Sequence, residues 1–290
     1  MMRRVVAAIG LCGLLAVGRA AEPAPPAAAP PTKVLLRIQF KAGATWTTTY
    51  SRNTAQQTKS SDGTVERVTE TVRLTSEGKV VKIDGDRATV ESQIKSGTIK
   101  TKTGDDPEES EELPASKETH TLSARDQVLT HKDDEGNELK AKEGGSLGPE
   151  TGHGALNLPE KEVGAGDTWE YRTQADGDDD NYTKVKCALV RFTTYAGRPC
   201  VEIQGEYQII TAPPKADDQP PGMSIEADAT ITATFTVYFD YERGRTLAGS
   251  EQTSTLMHSK FKFTTPDGDE SEEYTMAARI NEQYTNQFSD

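Results

Sequence analysis

Thr230-Ile231-Thr232-Ala233-Thr234-Phe235-Thr236-Val237-Tyr238-Phe239 alternates without a break. Ile231, Ala233, Phe235, Val237 and Phe239 point one way; Thr230, Thr232, Thr234, Thr236 and Tyr238 point the other. A period of two residues is the signature of a half-buried β-strand, and Thr on the wet side suits an extended backbone. The chain on either side reads the same way. Residues 241–244 turn, and 245–259 and 261–264 continue the ladder with an irregularity between them. Pro266-Asp267-Gly268 turns again. Residues 272–284 then place Tyr274, Met276, Ala278, Ile280 and Tyr284 on one face. Upstream, 211–222 holds four prolines and reads as a long loop. Before it, 181–194 and 199–210 are strands about a tight Ala196-Gly197 turn, and 169–173 is a shorter one.

The first half carries weaker versions of the pattern. Val34, Leu36, Ile38 and Phe40 share a face of a strand over 33–40. Residues 46–50 and 64–75 are strands, with Val68, Val72 and Leu74 on one side. Residues 80–83 and 88–94 flank a hairpin turn at Asp84-Gly85-Asp86-Arg87, and 118–122 and 127–131 are short strands. Gln56 to Gly63 is polar and ends in a turn. Gly104 to Glu112 is almost purely acidic, contains Pro107, and reads as a solvated loop. After the N-terminal region, no stretch has a helical period, so the fold class is antiparallel all-β with hairpin connections.

The two tryptophans sit in matching contexts: Ala42-Gly43-Ala44-Thr45-Trp46 and Ala165-Gly166-Asp167-Thr168-Trp169. Arg87-Ala88-Thr89-Val90-Glu91 matches Arg198-Pro199-Cys200-Val201-Glu202, and Gly136-Asn137-Glu138-Leu139 matches Gly244-Arg245-Thr246-Leu247. Matches in one order suggest a duplicated β-meander, with a first unit over 33–155 and a second over 156–290. Two such sheets join edge to edge into a curved half-barrel or stack as a sandwich.

The N-terminus reads as an export signal over 1–21. Arg3 and Arg4 precede a short apolar run, and small residues follow for cleavage near Ala20 or Ala21. Cys12 lies inside that run, not at its end, so no lipid attachment is expected. Residues 22–32 are a Pro/Ala-rich disordered tether. This places the protein in the periplasm or outside the cell. The formal charge of −13 becomes about −16 once Arg3, Arg4 and Arg19 are removed. Such a surface repels phosphate backbones, so no nucleic-acid partner is expected.

Chemical motifs are sparse. Gly144-Gly145-Ser146-Leu147-Gly148 matches the nucleophile-elbow pattern but lacks the strand before it and the helix after it. Asp176, Asp178 and Asp180 match the start of a calcium loop, which then fails at Asn181 and Cys187. His120, His131, His153 and His258 are scattered, with no pair at metal-ligand spacing and no C-x-x-C. Asn181-Tyr182-Thr183 is a glycosylation sequon, relevant only on a eukaryotic secretory route. Trp46 and Trp169 read as core or edge-covering residues. A two-residue turn at Ala196-Gly197 pairs Cys200 with Thr193 and Cys187 with Glu206. The two cysteines then share a face, six residues apart along the ladder, which is too far for a disulfide. No catalytic residue, cofactor or metal site is assigned, and the ligand-binding residues stay open.

Leu158-Pro159-Glu160-Lys161-Glu162-Val163-Gly164-Ala165-Gly166-Asp167-Thr168-Trp169 resembles an L-P-x-K-x-V-x-x-G-D-x-W motif of exported, β-rich bacterial proteins of unknown function. Phe239 to Leu247 is similar to their D-x-x-x-G-x-L hairpin. The resemblance implies an antiparallel β fold like the half-barrels of lipoprotein carriers, and it implies no activity. With one apolar face per strand, the expectation is a non-enzymatic protein that binds an apolar ligand, such as a lipid, or an envelope protein on a curved sheet. The alternatives are a purely structural envelope protein with a filled core and, third, a hydrolase. A continuous apolar groove would favour the carrier.

Overall fold

A computed structural model describes residues 31–138, 156–174, 182–210, 223–265 and 268–289. The export signal, residues 22–30, the Ser146 motif, His153, Asp176, Asp178 and Asp180 lie outside the described residues. Among the described residues, twelve strands form one antiparallel sheet that curves without closing. They are β1 (Thr45–Ser60), β2 (Val65–Asp84), β3 (Arg87–Thr103), β4 (Glu109–Glu112), β5 (Lys117–Ser123), β6 (Val128–Lys132), β7 (Thr168–Gln174), β8 (Tyr182–Tyr195), β9 (Arg198–Ile210), β10 (Met223–Asp240), β11 (Arg245–Thr265) and β12 (Gly268–Ser289). The order is β6-β5-β3-β2-β1-β12-β11-β10-β9-β8-β7, with β4 beside β3. Each half is a meander, and β1 pairing with β12 joins them from Thr45↔Ser289 to Ser60↔Tyr274. The edge-to-edge arrangement is thus the observed one, not the sandwich.

Several strands run well past their apolar segments. Apart from Thr64, the strands expected over 64–75 and 80–83 belong to one strand, β2, and the polar Gln56-Gln57-Thr58-Lys59-Ser60 is the end of β1. Here neighbouring strands satisfy the backbone and Thr supplies extended-chain preference, so no apolar alternation is required. The acidic loop also contains a strand. Glu109–Glu112 pairs with Thr98–Thr101, fully exposed, which an edge strand tolerates.

Residues 33–40 are not a ladder strand. The period of two is real, with Leu36 and Ile38 buried and Leu35 exposed. However, this extended strap crosses the inner face of the sheet. It is tied by the Val34↔Val163 bridge, by the Ile38 amide donating to Ala124 O (2.8 Å), and by the Gln39 amide donating to Gly244 O (2.9 Å). Arg37 donates to the carbonyls of Pro159 and Glu160, and Arg125 donates to Leu158 O. The L-P-x-K segment is therefore an anchor for the strap. Gly244 lies at φ +58°, where a Cβ would stand 2.3 Å from Arg37 O. Only glycine permits both that backbone and that approach.

The main core lies beneath the strap. Leu36 and Ile38 pack with Leu156, Leu158, Val163, Leu189, Val201, Ile203, Val237 and Phe239, so it draws on both sequence units. Trp46, Val80, Ala88, Val90 and Leu122 form a second cluster, and Tyr50, Val72 and Leu74 a third. Asp126 (φ +63°), in the β5–β6 turn, is fully buried and accepts the Leu156 amide at Oδ2 (3.2 Å).

The turns that open the two meanders make equivalent hydrogen bonds. The Gly43 amide donates to Val80 O and the Val80 amide to Ala44 O. The Gly166 amide donates to Leu189 O and the Leu189 amide to Asp167 O. A bulge follows at once in both halves, at Val81 and at Val190. The second bulge corrects the cysteine geometry. Cys200 faces Thr193 as expected, but Cys187 faces Gly205 rather than Glu206. The one-residue slip puts the two thiols on opposite faces, and both are buried and free.

Candidate functional site

The inner face changes character along the strands. Its lower part is filled by the strap. Above that lies a belt of polar side chains, and above the belt an apolar patch that belongs to none of the three core clusters among the described residues.

Register places the belt. Arg52 on β1 faces Glu282 on β12, which faces Glu251 on β11. Arg52 Nη2 lies 2.7 Å from Glu70 Oε1 on β2. Glu251 Oε1 accepts from Tyr207 OH and from Thr253 Oγ1 (2.9 Å). Like charges directly across a ladder oppose pairing; Arg52 on one flank and Tyr207 on the other offset the Glu251–Glu282 pairing. Burial raises the Tyr207 hydroxyl well above its usual range, and the Glu251 charge raises it further. Tyr284 is raised by burial and by the charges of Asp126 and Glu251. Both phenols are therefore neutral, and Tyr207 donates its hydroxyl to Glu251.

The patch above the belt is contiguous. Ile209 faces Ile231, Ala233 faces Thr253 and Thr253 faces Ile280, Met257 faces Met276, and Thr255 faces Ala278. Ile209, Ile231, Met257, Met276 and Ile280 are half-buried, whereas Ala233 and Ala278 are buried. The apolar groove expected from the sequence is thus divided: its base is occupied by Leu36 and Ile38, and only its upper part is left. The opposite face carries exposed Thr230, Thr232 and Thr234 on β10, Ser250, Gln252 and Ser254 on β11, and Arg279, Asn281 and Gln283 on β12. A lipid-facing band would be apolar. A depression of ≈ 790 Å³ on that side is lined by polar residues such as Gln204, Glu206, Gln252 and Asn281.

The residues singled out in the sequence fall as follows. Trp46 is core, 5% exposed, and Trp169 packs against the main cluster. Burial pushes the Cys187 thiol up to about 12 and Cys200 up to about 11, so neither is a ready nucleophile. His258 is exposed on β11, with Nδ1 3.2 Å from Thr275 Oγ1. His120 and His131 are brought side by side, since they face each other across β5 and β6. Their rings stack at 4.3 Å, and Glu118 Oε2 lies 2.9 Å from His131 Nε2 and 3.6 Å from His120 Nε2. Linear spacing hid this pair. The register that brings the two together includes an irregularity between Thr121 and Leu122, which regular strand pairing does not show. The belt and the patch were invisible for the same reason, because their members come from six strands.

No family model matches the chain, and no curated protein does. Among solved structures, an outer membrane channel from Pseudomonas putida F1 aligns at 10% identity and TM-score 0.25, over 84% of this chain and 97% of that one. Pseudomonas aeruginosa OccK7 (OpdD) aligns at 5% and 0.26, over 86% and 100%. The outer membrane protein OprG from Pseudomonas aeruginosa aligns at 7% and 0.17, over 86% and 99%. Scores this low describe shared strand content and no common fold.

Proposed function

We propose that this chain is an exported binding protein that receives an apolar group on the upper inner face of its sheet. Binding rather than catalysis is its role. The observation that carries this reading is the contiguous patch of Ile209, Ile231, Met257, Met276, Ala278 and Ile280, which extends the inner face beyond the strap-filled core. Arg52 and the acidic belt at its lower border suit a ligand with one polar end, so a single-chain lipid fits best. An apolar segment of an envelope protein partner would use the same surface.

Native mass spectrometry of protein purified from its source is the direct test. The expected result is an added mass that organic solvent extracts as lipid. A fluorescent monoacylglycerol, with an uncharged head to sit at the acidic belt, should bind the delipidated protein, and Ile231→Glu should weaken it. Losing one buried Ile contact of about 2 kcal/mol corresponds to roughly 30-fold in affinity. Lipid-free protein together with equal probe binding by Ile231→Glu would leave the purely structural alternative.

A further inference from the structure

We propose that Glu118, His120 and His131 form a zinc site on the β5–β6 hairpin, separate from the belt and the patch. His120 and His131 are direct cross-strand partners, and Glu118, two residues before His120, projects from the same face. The three donor atoms all lie within 4.8 Å of one another. A four-coordinate ion with bonds of about 2.0–2.1 Å places its donors roughly 3.3 Å apart. The separations of 2.9 Å and 3.6 Å from Glu118 Oε2 to the two imidazole nitrogens bracket that spacing.

A simple hydrogen bond between His131 and Glu118 would account for one ring. It does not account for the second. The His120 imidazole is 1% exposed, stacks on the first ring at 4.3 Å, and points its Nε2 at the same carboxylate oxygen. Two imidazoles converging on one carboxylate from a rigid ladder is a tridentate donor set. Its floor is fixed by β3, where Val90 faces His120 and buried Ser92 faces Glu118. The side chains of Glu118 and His131 are 25% and 14% exposed, which leaves a path for the ion and for a water as fourth ligand. Imidazole with carboxylate, and no thiolate, selects Zn²⁺ and neighbouring late divalent ions over Ca²⁺ and Mg²⁺. A metal here would clasp edge strand β6 to the sheet.

The test uses the full chain, stripped with a chelator and titrated with Zn²⁺ by calorimetry. One ion per chain is expected, along with a Tm that rises with added Zn²⁺ because metal binding is linked to folding. Glu118→Gln and His131→Gln should bind at least about tenfold more weakly and lose the Tm rise, since even outer-shell partners are worth 10–100-fold. His258→Gln should bind as the unaltered chain does. If either site variant fails to fold, the histidine ring signals of the unaltered chain decide the matter: Zn²⁺ should shift those of His120 and His131 and leave His258 in place. Absence of stoichiometric binding, undiminished binding by both site variants, or Zn²⁺ shifts confined to other histidines would overturn the proposal.

Discussion

Asp126 shows what one residue does to the pH response of this fold. It is fully buried, it accepts the Leu156 amide, and burial pushes its carboxyl up to about 8 from an ordinary value of 3.8. Its folded pKa is therefore above its unfolded one. Below about pH 4 the carboxyl is protonated in both states, and its contribution to stability is fully present. As pH rises from there towards 8 the unfolded chain ionises while the folded chain does not, so stability falls with pH and then levels off. A shift of that size is worth roughly 6 kcal/mol at most. Asp126→Asn keeps an acceptor for Leu156 and removes the ionisation. Thermal melts across pH 4–9 should show the variant more stable than the original chain at pH 8 and nearly equal at pH 4. Parallel profiles for the two would show that another group sets the slope.

At the scale of the element, three cross-strand pairs explain how bulky aromatics fit a tightly curved face. Trp46 lies over Gly78, Phe235 over Gly205 and Tyr284 over Gly249, each a direct register partner. A Cβ on Gly205 would stand 2.2 Å from Phe235 Cζ. Gly205→Ala should therefore cost about 1–3 kcal/mol by overpacking, read as a lower denaturant midpoint, and adding Phe235→Leu should recover part of the loss. An unchanged midpoint would mean that the ring turns aside freely. The period-two pattern at Thr230 to Phe239 made β10 legible, as did the turn residues at Asp84-Gly85 and Ala196-Gly197. Strand length was not legible, because the inner rows of β1 and β2 above the core are mostly polar, with Arg52, Thr54, Gln56 and Thr58 on β1 and Glu70 and Glu66 flanking a single Val68 on β2. Nor was the strap's partner, because alternation reports an extended chain with one buried side and does not say against what. The bulge at Val190 left no mark in composition, yet it decides which face Cys187 occupies. Sites assembled across strands, such as Glu118 with His120 and His131, depend on register, which a hairpin with an irregularity between Thr121 and Leu122 conceals.

For the whole molecule, the question is whether two similar meanders are two folding units. The two A-G-x-T-W turns make matching hydrogen bonds, and a bulge follows each. The energetics of the two halves nonetheless point to interdependence. All 16 residues of β1 pair with β12, across the boundary between the halves. Leu36 and Ile38, from the first half, fill the core built by Leu189, Ile203 and Phe239 of the second. Separating the halves would expose two long unpaired edges and uncover that core, and exposed edges of this length invite association. Residues 33–155 and 156–290 expressed alone should therefore be unfolded or aggregated, while the intact chain melts in one cooperative transition. Leu36→Ala gives a finer version of the same argument. Emptying a fully buried leucine site costs about 2–5 kcal/mol. If the two halves form one cooperative unit, near-ultraviolet signals from Trp46, in the first-half core, should melt at the same lowered temperature as those from Trp169. Independent melting of either fragment, or a Trp46 signal that stays at its original midpoint while Trp169 moves, would instead divide the sheet into two domains joined along β1 and β12.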